Sequence, residues 1–377
     1  MKAILQLFMG VVAILGTGCG AVNIKLQSCP DFIAKSSAWD TIVGHGSFYS
    51  SSYTGLAFYR DELYVGSASG LQRFQGKEFV GAFRCRTDSW DGFENVVVDT
   101  ANNNLWVYHF HTGTLLRFDG NTWQQMELPP KPEAYTRGDV SHGFVAFNTK
   151  NAFWMQGEDR AWRWNNATQT WTPESLPSSE YEALPSGTSQ RSYYLASIAP
   201  IDEQFFVVMH SGLSGKDWGN GRYVHPSVPT PAADKIFQRG VDGRWQEIPG
   251  SQSEGLYTKR VVVGNGSAYA QTNDGRLFSF SGAGVTKLDT PGKIDALAIS
   301  PNGSLMAAFH NLGIYELNTS WVKRFDSPYG EITDEVDAHL AEMNGRVAFT
   351  ITWYEKGQRI GSALYISEGD KLVPISR

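Results

Sequence analysis

Three histidines recur at comparable places along this chain: His111, His210 and His310 each fall at or just after an apolar run that reads as the second strand of a repeat. Imidazole changes charge near neutral pH, so a histidine beside a carboxylate is the natural acid/base pairing. The segments leading into the first strands of nearby repeats supply partners: Asp88, Trp90 and Asp91; Arg137, Asp139 and His142; Arg191; and Lys259 with Arg260. Acid/base work would fall to His111, His142 or His210 with Asp88, Asp91 or Asp139. No nucleophile motif accompanies them, since Gly-x-Ser-x-Gly, a P-loop and His-Glu-x-x-His are all absent. A metal needs its ligands about 2 Å from one ion, and histidines on alternate repeats stand too far apart unless they lean toward a common axis. His109 and His111 share one side of a strand but would need an outside carboxylate. No metal and no cofactor is expected, and no catalytic residue is assigned. The plainer reading of the histidines is as core or solvent-facing side chains.

A second concentration of contact chemistry lies in the tract from Ser211 to Ala233. Lys216, Asp217, Trp218, Arg222, Tyr223 and His225 sit there among glycines and prolines. Mixed aromatic and charged residues are typical of contact surfaces, and a disordered tract would carry fewer aromatics. A structureless stretch of this length inside a compact fold is usually functional or disordered. A binding loop or lid is the leading expectation; an inert decoration and a disordered loop are the alternatives.

The elements that position these residues follow from a repeated phrase. Two apolar strands joined by a turn are followed by a third, then a Gly- or Asn-containing turn and one bulky residue. The bulky positions are Phe79, Trp123, Trp171, Trp245, Val285, Trp321 and Leu372, at spacings of 44, 48, 74, 40, 36 and 51 residues. All-strand repeats of this length predict a β-propeller, with one four-stranded sheet per repeat. The fold class expected is all-β, a seven-bladed propeller spanning residues 53–377. The long spacing belongs to blade 4, where the tract at about 211–233 is an insertion between the second and third strands. The loops after second strands and before first strands open on one face, so the histidines and their partners should share one rim. Asp119-Gly120, Asp242-Gly243, Asp274-Gly275 and Asn302-Gly303 read as turns, because positive φ costs little there. His339 falls on an innermost strand, where it can face the central channel.

Tyr64-Val65-Gly66-Ser67 followed by Gly70-Leu71-Gln72-Arg73-Phe74 resembles the propeller repeats of bacterial sensor ectodomains, in which Trp-Val-Gly-Thr leads into Gly-Leu-x-Arg-Phe. That resemblance implies a fold and little more, because propellers host enzymes, ligand binders and scaffolds alike.

The N-terminus has the layout of a targeting segment: Lys2, an apolar run from Ala3 to Leu15, then Gly16-Thr17-Gly18 before Cys19. Small residues leading into cysteine resemble the lipobox of bacterial lipoproteins, which implies a signal segment at 1–19 and lipid on Cys19. Gly16 stands where that pattern has leucine, and plain secretion or an uncleaved anchor are the alternatives. Gly20 after the cysteine implies, by the same resemblance, export to an outer membrane, with a periplasmic or secreted protein as the alternative. Residues 20–52 read as a tether and adapter. With Cys19 lipidated, Cys29 and Cys85 remain as an even pair in an oxidising compartment and are expected to form a disulfide, two separate buried thiols being the alternative.

A formal net charge of −6 with no basic run excludes a phosphate-backbone reader and a polybasic membrane surface. The function expected is therefore an exported, lipid-anchored binding scaffold for a protein, peptide or glycan. Its rim would be built by Asp88, Trp90, Asp91, Arg137, Asp139, His142, Arg191, His210, Arg260 and the blade 4 tract. The rival expectation is an envelope lyase or hydrolase using the rim His and Asp residues.

Overall fold

The computed structural model describes residues 53–67, 70–83, 93–109, 114–129, 153–156, 161–177, 181–183, 189–201, 204–215, 233–250, 255–264, 266–329, 336–355 and 358–375. Blade 1 is β1 (Tyr53–Tyr59), β2 (Glu62–Ser67), β3 (Gly70–Gln75) and β4 (Glu78–Phe83). Blade 2 is β5 (Phe93–Asp99), β6 (Asn104–His109), β7 (Thr114–Phe118) and β8 (Trp123–Met126). Three described strands belong to blade 3: β9 (Phe153–Gln156), β10 (Ala161–Asn165) and β11 (Thr170–Glu174). Blade 4 has five: β12 (Tyr181–Ala183), β13 (Ser189–Ile201), β14 (Gln204–Gly215), β15 (Lys235–Arg239) and β16 (Trp245–Glu247). Blade 5 is β17 (Thr258–Gly264), β18 (Ser267–Thr272), β19 (Leu277–Ser281) and β20 (Gly284–Leu288). Blade 6 is β21 (Ile294–Ile299), β22 (Leu305–Phe309), β23 (Gly313–Leu317) and β24 (Trp321–Asp326). Blade 7 is β25 (Val336–Met343), β26 (Arg346–Glu355), β27 (Gln358–Glu368) and β28 (Lys371–Pro374). Every strand pair is antiparallel and follows chain order within its sheet. The molecule is a seven-bladed β-propeller.

Turn chemistry explains why consecutive strands pair. Gly120, Gly243, Gly275 and Gly303 all adopt positive φ, at 94°, 79°, 82° and 88°. Arg60-Asp61 and Asn344-Gly345 have positive φ at both positions, the geometry whose twist matches a two-residue hairpin. All seven bulky marker residues lie on the outermost strand of their blade.

The core is distributed between blades. Separate apolar clusters join blade 1 to 2, 2 to 3, 3 through 4 to 5, 5 to 6, and 6 to 7. A further cluster packs Leu56, Phe58 and Val65 of blade 1 against Ala348, Leu364 and Ile366 of blade 7. The ring is thereby closed by packing, with blade 7 built from four strands of its own. The largest fully buried side chains are all aromatic, Trp106, Tyr64 and Phe309 among them, each contributing roughly 1.5–3 kcal/mol of burial. Trp106 stacks on Phe153 across the blade 2–3 boundary with ring centroids 4.4 Å apart. Outer-strand tryptophans reach back one blade: Trp171 Nε1 donates to the Glu127 carbonyl at 2.8 Å and Trp321 Nε1 to the Asp289 carbonyl at 2.9 Å.

Blade 4 departs from the sequence expectation. The ladder between β13 and β14 continues for six pairs beyond Leu195↔Met209, out to Ser189↔Gly215, whereas β15 stops opposite Met209. At about 3.3 Å per residue the two strands run about 20 Å past the blade body. Ser211–Gly215, expected in an irregular insertion, is strand, and β12 adds a fifth strand along Gln190–Ser192. His210 is not at a strand end but opposite Tyr194 inside this extension.

Candidate functional site

Each blade's innermost strand starts, and its second strand ends, on the same face of the ring; we call it the rim face. Five of the six described innermost strands carry a register shift at this level, with Thr54, Asn95, Ala196, Lys259 and Asp295 as the extra residues. A bulge re-aims the side chain it carries. The repeat thus places an out-of-register residue on the rim face in five blades, and in blades 5 and 6 that residue is charged.

Asp295 is the buried member of the pair. Its strand is fixed by Ile294 N–H donating to the Gly275 carbonyl at 2.9 Å and by Gln271 Nε2 donating to the Ile294 carbonyl at 2.9 Å. Gly275 is required there: its φ is positive, and a Cβ would stand 2.2 Å from Lys293 Cγ. The His310 backbone N–H donates to the Lys293 carbonyl at 2.8 Å, which brings His310 Nδ1 to 2.9 Å from Asp295 Oδ2 and 3.2 Å from Oδ1. The Tyr329 hydroxyl points to Asp295 Oδ2 at 3.5 Å, and its ring stacks on Phe349. Burial pushes the Asp295 carboxyl above the usual carboxylate range, opposed by His310, Lys293 and Lys259. Burial, then the Asp295 charge, raises the Tyr329 phenol. A carboxylate holding Nδ1 fixes the imidazole's tautomer and orientation, which is what a proton-transferring histidine needs.

The second constellation crosses the channel. Thr258 N–H donates to Asp234 Oδ2 at 2.6 Å, anchoring the start of β17, and the bulge at Lys259 leaves Lys259 exposed and Arg260 half-buried. Arg260 Nη1 donates to the Ala338 carbonyl at 3.2 Å, and Nη2 lies 3.5 Å from His339 Nδ1. Both partners belong to blade 7, two blades on. Innermost strands line the channel of a propeller, so a side chain that skips blade 6 spans that channel. His339 Nε2 lies 3.9 Å from Asp337 Oδ2. Burial pulls the Arg260 pKa down, with Asp337 opposing.

Of the residues expected from sequence, the structure brings Arg260 and His310 to the rim face and puts His339 at the channel. Arg191 pairs with Leu213 and Glu182 within the blade 4 extension. Asp88, Trp90, Asp91, His111, Arg137, Asp139, His142, Lys216, Asp217, Trp218, Arg222, Tyr223 and His225 lie outside the described residues, as do Cys19, Cys29 and Cys85. His109 is fully buried with its ring 4.7 Å from that of Phe93, a core histidine. Among the described residues no group of three or more His, Cys, Asp or Glu could hold a metal ion. Asp295, Tyr329, Lys293 and Asp337 were not anticipated. Asp295 could have been found from the lone acid in the apolar run Ile294-Asp295-Ala296-Leu297.

No protein-family model matches the chain, and no curated protein matches it in sequence. Solved structures do match. Virginiamycin B lyase from Staphylococcus aureus is similar over 84% of this chain and 95% of that one, at 12% identity and a TM-score of 0.50. YCF48 bound to D1 peptide is similar over 80% of this chain and 89% of that one, at 11% identity and a TM-score of 0.50. The likeness is to the fold alone. The extracellular domain of BT4673 from B. thetaiotaomicron matches 84% of this chain and 44% of that one, at 11% identity and a TM-score of 0.38, too loose a superposition to argue from.

Proposed function

We propose that this chain is an exported, lipid-anchored propeller that holds a protein, peptide or glycan partner on its rim face. The observation that carries the reading is the β13–β14 extension, which with β12 raises a strand wall beside the channel mouth on the face that carries the charged bulge residues. Strand edges carried beyond a blade body offer backbone groups to a partner, whereas packing within the blade would not need the extra length. Export and the lipid rest on the N-terminal segment and Cys19. The test is partner capture with the tagged full-length chain and with a variant in which a short Gly-Ser turn joins His210 to Asp234. Met209 and Lys235 are paired, so such a turn can span the gap. Capture by the parent and its loss in the variant is the expected result; equal capture by both contradicts it.

A second reading, an envelope lyase or hydrolase, is favoured by one observation, the His310–Asp295 pair at 2.9 Å. Among similar propellers one is a lyase and another holds a peptide, so the fold admits both. His310→Ala separates them: an enzyme loses turnover, whereas a scaffold keeps its partner.

A further inference from the structure

We infer that the channel mouth between blades 5 and 7 binds a single carboxylate group, with Arg260 as its principal contact; the inference rests on the rim-binding reading and names the chemistry of what the rim receives. Arg260 uses Nη1 on the Ala338 carbonyl and Nη2 on His339 Nδ1. A guanidinium has five N–H groups in a rigid fork, so the contacts in blade 7 leave donors over. Among the described residues Asp337 acts on it through charge but lies beside His339, 3.9 Å from its Nε2. A half-buried cation with no carboxylate on its fork among the described residues is incompletely paired, and an arriving planar anion would complete it with paired, charge-assisted hydrogen bonds.

Two further cations at this end of the ring favour an anion over a neutral group. Lys259 and Lys293 are exposed on the same rim and lie within electrostatic reach of Asp295. The carboxylate can be a peptide's or a sugar acid's, because Arg260 would read the same two oxygens in either.

The test is ligand-observed NMR and thermal shift on the full-length protein with N-acetylglycine, its neutral amide, glucuronate and inorganic phosphate at low salt. Saturable binding of at least one carboxylate, none of the amide, and at least tenfold weaker binding in Arg260→Met are expected. Arg260→Lys, which keeps charge but not the fork, should fall between. N-acetylglycine and glucuronate distinguish the peptide and sugar sources. Should Arg260→Met fail to fold, Arg260→Lys and the acid–amide comparison on the parent decide. Equal binding of acid and amide, no saturation by either carboxylate, unchanged affinity in the Arg260 variants, or tighter binding of phosphate than of either carboxylate would overturn the inference. Loss of carboxylate binding with partner capture intact counts against this inference alone; carboxylate binding without capture counts against the scaffold reading alone.

Discussion

His310 Nδ1 lies 2.9 Å from Asp295 Oδ2, joining the end of one strand to the bulged start of its neighbour across the rim of blade 6. The contact is local in the sheet but joins residues 15 positions apart in the chain. It holds the His310 imidazole against a carboxylate that is almost wholly buried.

This pairing fixes a pH dependence. Burial raises the Asp295 pKa in the folded protein, so the folded state binds that proton more tightly than the unfolded chain does. The group's contribution to stability is therefore greatest below its unfolded value, about pH 4, and is lost as the pH rises through the raised folded value. Asp295→Asn cannot titrate. Its stability relative to the parent should rise with pH across that window, read as urea midpoints at a series of pH values. A constant difference, or one of opposite trend, would show that the carboxyl is not held as described.

The outer-strand tryptophans make a second prediction. Trp321→Phe keeps most of the ring but deletes the bond to the Asp289 carbonyl, and should cost about 1 kcal/mol. Trp321→Ala also empties the contact with Phe309 and should cost about 3–5 kcal/mol. Chemical denaturation of the two variants separates bond from packing; equal losses would contradict the division.

Gly275 is the third. Alanine there must hold a φ of 82° with its Cβ 3.0 Å from Ile294 N as well as against Lys293. Strain at such a position costs about 1–3 kcal/mol, and here it falls on the turn that sets Asp295. Gly275→Ala should lower the melting temperature and broaden or shift the His310 ring resonances. Gly243→Ala, which meets no atom within 4 Å, should leave those resonances unmoved.

Much of the propeller was legible because its determinants are local. Alternating apolar runs, Asp-Gly and Asn-Gly turns and a bulky outer-strand residue recur within each blade, so Trp123 or Trp321 announces its strand without knowledge of the rest. Blade 4 was read only in part: the β13–β14 ladder continues past Tyr193↔Ser211 beyond the reach of β15, and the apolar signal of strand β13 fades toward its start at Ser189. The site was harder. Arg260 and His310 stood out as charged residues at strand ends, but their partners Ala338 and Asp295 depend on register and ring closure. A bulge changes neither composition nor periodicity by more than one residue, so Asp295 looks like an ordinary strand position until the pairing is known.

The most direct test of rim binding is site-specific photo-crosslinking from two exposed positions on opposite faces. Lys259 lies on the rim face, and Val241 on the turn between the third and fourth strands of blade 4, at the other end of the blades. With a photo-reactive residue at each position in turn, partner adducts should form from position 259 and not from position 241. Equal adducts from both positions, adducts from 241 alone, or none from either would contradict a partner held on the rim.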